Sequence, residues 1–134
     1  MFDNNSKILN PKQSQITETQ NPKRYDLEER TLKFAGRVRD YIKKLPKTIT
    51  NPEISGQLFR AAGSVGANYI EANESLGRKD FAMRIKICRK EVKESRYWLR
   101  LSEPTKENEP EKDFLMQEAT ELMKIFGSII TKCI

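Results

Sequence analysis

Glu91 and Glu94 stand three residues apart in a segment that reads as helix, so both carboxylates fall on one side of it. Paired carboxylates can hold a metal or move protons. A di-iron helical bundle also needs Glu-x-x-His pairs, and this chain has no histidine. That absence removes the commonest general base and the commonest metal ligand. The two glutamates therefore read as charge partners, with Arg60 as the cation whose planar fork fits a carboxylate. Arg60, Asn68, Glu71, Glu91 and Glu94 are expected to form a buried polar network that fixes helix register. The competing reading is exposed helices carrying unconnected charges.

Gly63-Ser64-Val65-Gly66 invites comparison with a phosphate loop. It lacks the lysine and Ser/Thr of that motif, and no strand precedes it. Cys88 and Cys133 have no CxxC spacing. Cys88 falls in an apolar helical pattern and reads as a small core residue. No nucleophile–base pair emerges. The sequence thus predicts a non-enzymatic chain with no catalytic residue, no metal site and no cofactor.

The strongest electrostatic feature is cationic. Arg89, Lys93, Arg96 and Arg100 are spaced four, three and four apart, which makes one stripe on a helix, flanked by Lys86 and Lys90. Arg37 and Lys44 add basic positions from an earlier helix. Such a surface neutralises phosphates of RNA or DNA without reading sequence, with strong salt dependence. The alternative is a solvated face whose Lys and Arg stems cover apolar side chains. Tyr97-Trp98 lies near the end of the same helix, but adjacent helical side chains point about 100° apart and cannot share one platform, so core or subunit packing is expected. The net charge is +6, with the basic excess in residues 1–102 and an acidic excess in residues 103–134. Unlike faces of this kind also suit self-association, which leaves an adaptor oligomer without nucleic acid as the second reading.

The 134 residues fit one domain able to bury a core without disulfides or metal. Residues 1–25 are polar, contain Pro11 and Pro22, and are predicted to be a flexible tail. Four helices follow, over about 26–45, 52–75, 79–102 and 110–132. Asp26 and Glu29 give the first a capping pattern, and Pro46 ends it. Asn51-Pro52-Glu53 opens the second as cap, first-turn proline and dipole-matched acid. The second helix contains Ala61–Ala67, AAGSVGA, in which each interior glycine costs about 1 kcal/mol relative to alanine. Helix persists there only if the small side chains let a neighbour pack closely enough to offset that loss. In the third, Phe81, Ile85, Cys88, Val92, Ser95 and Leu99 repeat as a heptad seam. Phe114, Leu115, Ala119, Leu122, Phe126, Ile129 and Ile130 give the fourth its inward face. Short connections between such helices predict an all-α, up-down-up-down antiparallel four-helix bundle over 26–134. No secretory h-region and no membrane-length apolar run is present, so a cytoplasmic protein is expected.

The segment QLFRAAGSVGANYIEA (Gln57–Ala72), the following Ser75 and Lys79-Asp80-Phe81, and Lys90-Glu91 with Glu94-Ser95-Arg96-Tyr97-Trp98-Leu99 resemble the four helix bundle protein family. That family is encoded in bacterial 23S rRNA intervening sequences, has long been labelled S23 ribosomal protein, and includes the accessory variability determinant of diversity-generating retroelements. The resemblance spans about residues 25–134 and is most specific in the second and third helices. It implies a four-helix protomer assembling as a homopentameric ring. In the retroelement branch the ring is basic, binds nucleic acid and associates with a reverse transcriptase. Arg60, Asn68, Glu71, Glu91 and Tyr97 match family-typical positions, where the resemblance implies structural roles. Tyr69-Ile70-Glu71-Ala72 stands where many members read I-A-E-G, which places the chain nearer the branch ending in Y-W-L.

Overall fold

A computed structural model describes the backbone of residues 22–133 and the side chains of residues 27–133. Four long helices, α1 (Pro22–Lys43), α2 (Asn51–Asn73), α3 (Arg78–Leu101) and α4 (Glu109–Cys133), are joined by short loops, with one 3-10 turn at Lys106–Asn108. Helix α1 begins at Pro22, four residues before the Asp26 start expected from the sequence. Proline suits a first turn because its missing N–H has no partner there. Of the expected tail, residues 22–25 are therefore helical, and residues 1–21 lie outside the described residues.

The chain is antiparallel at each seam. Asn73 bonds Glu28 across α1 and α2, whose other close approach joins Thr31 to Gly66. Arg60 meets Glu94 and Asn68 meets Arg84 across α2 and α3. Arg96 meets Thr120 and Arg89 lies against Gly127 across α3 and α4, and Arg30 and Arg37 meet Glu118 and Glu111 across α4 and α1. In each pair the numbers on one helix fall as those on the other rise. That is the up-down-up-down bundle, and no strand occurs among the described residues.

The core is one apolar stripe from each helix, and for the third and fourth it is the predicted one with a few exceptions. Phe34, Val38 and Tyr41 of α1, Leu58, Ala62, Val65 and Tyr69 of α2, Ile85, Cys88, Val92 and Leu99 of α3, and Leu115, Ala119, Leu122 and Phe126 of α4 are buried together. Each fully buried Leu, Ile or Phe contributes about 1.5–3 kcal/mol, so one or two of them offset the two interior glycines of α2. Phe114, expected inside, remains about half exposed. Phe114 instead lies under the Arg37 guanidinium, 3.7 Å from the ring centroid.

The two glycines have different surroundings. A Cβ on Gly66 would stand 3.0 Å from the Thr31 hydroxyl oxygen, so glycine there sets the approach of α1. Nothing lies within 4 Å of a Cβ at Gly63, which faces outward. Asn51 also differs from expectation: it is the first residue of α2 and makes no side-chain cap. Its amide donates to the Pro46 and Glu103 carbonyls and its Oδ1 accepts from the Glu103 N–H, fastening the α1–α2 loop to the α3–α4 loop. Beside it, Lys112 donates to the Ser102 and Arg100 carbonyls and satisfies the end of α3. No described helix is long and apolar enough to cross a membrane.

Candidate nucleic-acid interface

Helix α3 carries four different surfaces. Its seam Ile85, Cys88, Val92, Ser95 and Leu99 is buried in the core. One flank meets α2 through Arg84, Glu91 and Glu94, and the other meets α4 through Arg89 and Arg96. The fourth surface, Lys86, Lys90, Lys93 and Tyr97, points outward, as spacings of four, three and four require.

Along this outward surface and the α4 flank runs a cleft of about 490 Å³, lined by Lys86, Arg89, Lys90, Lys93, Glu94, Tyr97 and Ile130. Gly127 of α4 leaves room for Arg89: a Cβ there would stand 3.8 Å from its Nε. Glu94 brings the lone carboxylate of the lining, and it accepts from Arg60 Nη2 at 3.2 Å on the α2 side. No carboxylate pairs with Lys86, Arg89, Lys90 or Lys93 among the described residues. Tyr97 is 55 % exposed, and its ring and that of Trp98 are T-shaped, with centroids 5.1 Å apart and planes at 80°. Trp98 itself packs against the core. The expected packing of Tyr97 is therefore not made among the described residues.

The sequence-predicted cations divide. Arg89 and Lys93 line the cleft, and Arg100 is exposed near it in the last turn of α3. Arg96 is turned toward α4, donating from Nε to the Thr120 hydroxyl at 3.0 Å. Arg37 lies on α1 in a two-pronged pair with Glu111, at 2.9 and 2.7 Å, and that bonding strengthens its hold on its proton. Lys44 lines a separate cleft of about 210 Å³ with Asp40, Tyr41, Asn108 and Glu111. Lys86, Lys90 and Tyr97 complete the candidate site, and the signal for them is the four-three-four spacing they make together with Lys93.

The predicted polar network separates into two units. Arg60 joins Glu94 and approaches the buried Glu91, whose Oε1 lies 3.9 Å from Nη1 without a hydrogen bond. Asn68 pairs instead with Arg84, accepting from Nη1 at 2.9 Å and donating to the Ser64 carbonyl. Glu71 is exposed and joins neither unit. The Cys88 thiol is buried, donates toward the Val65 carbonyl at 3.4 Å, and is pushed up to about 12 by burial, which removes it as a nucleophile at neutral pH. No group of metal-ligating residues occurs among the described residues.

The 23S rRNA-intervening sequence protein family model matches residues 23–128. A solved structure of a protein of unknown function from the S23 ribosomal protein family of Bacteroides thetaiotaomicron is similar, with 31 % identity and a TM-score of 0.63. That similarity covers 77 % of this chain and 96 % of the other. No curated protein matches the chain. The four antiparallel helices, the small-residue centre of α2 and the match over most of the chain agree: this chain belongs to the 23S rRNA-intervening sequence protein family.

Proposed function

We propose that this protein is a non-enzymatic, oligomeric module that binds nucleic acid through the outward face of α3. The observation that carries the reading is one cleft holding Lys86, Arg89, Lys90 and Lys93 while its lone carboxylate is engaged by Arg60. Four like charges in one concavity repel one another and focus a positive potential that a polyanion relieves. Fluorescence anisotropy with labelled RNA and DNA tests it. Neutralising about four phosphates predicts an affinity loss between 50 and 200 mM salt of about 50-fold for a single strand and about 150-fold for a duplex. A Lys90→Glu, Lys93→Glu variant should bind far more weakly. Salt-independent binding, or none at low salt, rejects the mechanism. The family resemblance supports a finer role as accessory to a reverse transcriptase of a diversity-generating retroelement. Copurification with a reverse transcriptase encoded beside the gene tests that role.

A second reading, an adaptor oligomer without nucleic acid, draws on α2. Its outward face presents Phe59, Gly63, Ala67 and Ile70, with Phe59 and Ile70 about half exposed. A smooth apolar strip of this kind suits a second protomer, and the resemblance implies a pentameric ring. Light scattering measures assembly. Phe59→Asp with Ile70→Asp separates the readings: assembly lost, in a protein that binds no nucleic acid with or without these changes, favours the adaptor.

A further inference from the structure

The α3 cleft contains more than charge. Lys86, Arg89, Lys90 and Lys93 lie between two apolar features, Ile130 of α4 toward the start of α3 and the Tyr97 ring toward its end. From Lys86 to Tyr97 the helix rises about 16 Å, room for several nucleotides. A surface that only neutralised phosphates would need no aromatic ring in the row. Tyr97 is more than half exposed, and Trp98, packed against the core, lies nearly perpendicular to it, so the ring is presented rather than buried. A paired base inside a duplex has no free face to offer such a ring. An unpaired base does, and aromatic rings interleaved with cations are the arrangement that holds single strands.

We infer that the cleft is a single-strand site, in which an unpaired base stacks on Tyr97 while Lys86, Arg89, Lys90 and Lys93 neutralise the phosphates beside it. The inference rests on the nucleic-acid reading above and adds the form of the ligand. Unpaired RNA and DNA share this chemistry. The four cations are taken up by phosphates and Glu94 is engaged by Arg60, so sequence preference comes from stacking strength rather than base-edge readout.

Anisotropy titrations at low salt with labelled single-stranded RNA, single-stranded DNA and a duplex of equal length test it. The variants are Tyr97→Ala, Tyr97→Phe and the Lys90→Glu, Lys93→Glu pair, each with its mass in solution measured. Tyr97→Ala should weaken both single strands about 10-fold to 100-fold and leave duplex binding unchanged. Tyr97→Phe should restore single-strand binding, and the charge pair should weaken every ligand. Equal losses for single strand and duplex with Tyr97→Ala, or no loss at all, overturn the stacking site while the charge pair still reports nucleic-acid binding. A change of assembly state with Tyr97→Ala also overturns it and makes Tyr97 an interface residue. Failure of the unaltered protein to bind any of the three ligands removes the underlying reading as well.

Discussion

Thr31 and Gly66 form the tightest helix contact of the bundle's small-residue centre: the Thr31 hydroxyl oxygen stands 3.0 Å from where a Gly66 side chain would begin. That hydroxyl is buried and donates within α1 to the Leu27 carbonyl at 2.8 Å, so it cannot yield freely. Gly66→Ala is expected to destabilise the fold by about 1 kcal/mol, because the clash outweighs the helix-propensity gain. Gly63→Ala, with open space, should stabilise it by up to about 1 kcal/mol. Urea denaturation of both variants measures the contrast, and a shared sign would refute it.

Asn51 holds two loops with three side-chain hydrogen bonds. Asn51→Ala leaves two carbonyls and one N–H unpaired in a partly buried place and should cost about 2–3 kcal/mol. Asn51→Asp should be worse, since a carboxylate cannot donate and faces two carbonyl oxygens. A thermal melt in which aspartate is tolerated better than alanine would contradict this.

Arg60 lies between the exposed-pair and buried-pair limits. Its side chain is 54 % exposed while that of Glu91 is 11 % exposed. Arg60→Ala strands the Glu91 carboxylate and should destabilise by about 1–2 kcal/mol. Adding Glu91→Gln should recover most of that loss. Additive effects in this double-mutant cycle would show the two residues to be uncoupled.

Arg30 clamps α1 to α4 through Glu118 at 2.7 Å and Glu121 at 2.8 Å. Hydrogen bonds from Gln117 and then Arg30 hold the Glu121 carboxyl below its ordinary value near 4.5. A depressed carboxyl adds stability that is complete above that ordinary value and disappears as pH falls through the depressed one. Acid unfolding should therefore be shallower in Arg30→Ala than in the parent. Superimposable stability–pH curves would count against the clamp.

The two cysteines should differ sharply in reactivity. Cys88 is buried with its thiol near 12, whereas Cys133 is partly exposed at the end of α4. At pH 8 a disulfide reagent should modify one thiol quickly, and Cys133→Ser should abolish that fast phase. Two equally fast thiols would show that the core opens readily.

The sequence alone determined the helices and most of their buried faces. Ile54, Leu58, Ala61, Ala62, Val65, Tyr69 and Ala72 recur with the helical period, and all are buried. Periodicity is a local property, written in residue order, so it survives without coordinates. It also placed the cations on α3, because their spacing fixes their face. Only the tertiary structure decided which cations remain available. Arg37 meets Glu111 from 74 positions away and Arg96 meets Thr120 across a helix seam, pairings that depend on how helices align. Likewise, spacing allowed Arg60, Asn68 and Glu71 to share one network, but the register between α2 and α3 gave Asn68 to Arg84 and left Glu71 outside. Gly66 and Gly63 are identical in composition and three residues apart, yet one meets Thr31 and the other solvent. Spacing along one helix states which residues share a face, and only packing states what that face meets.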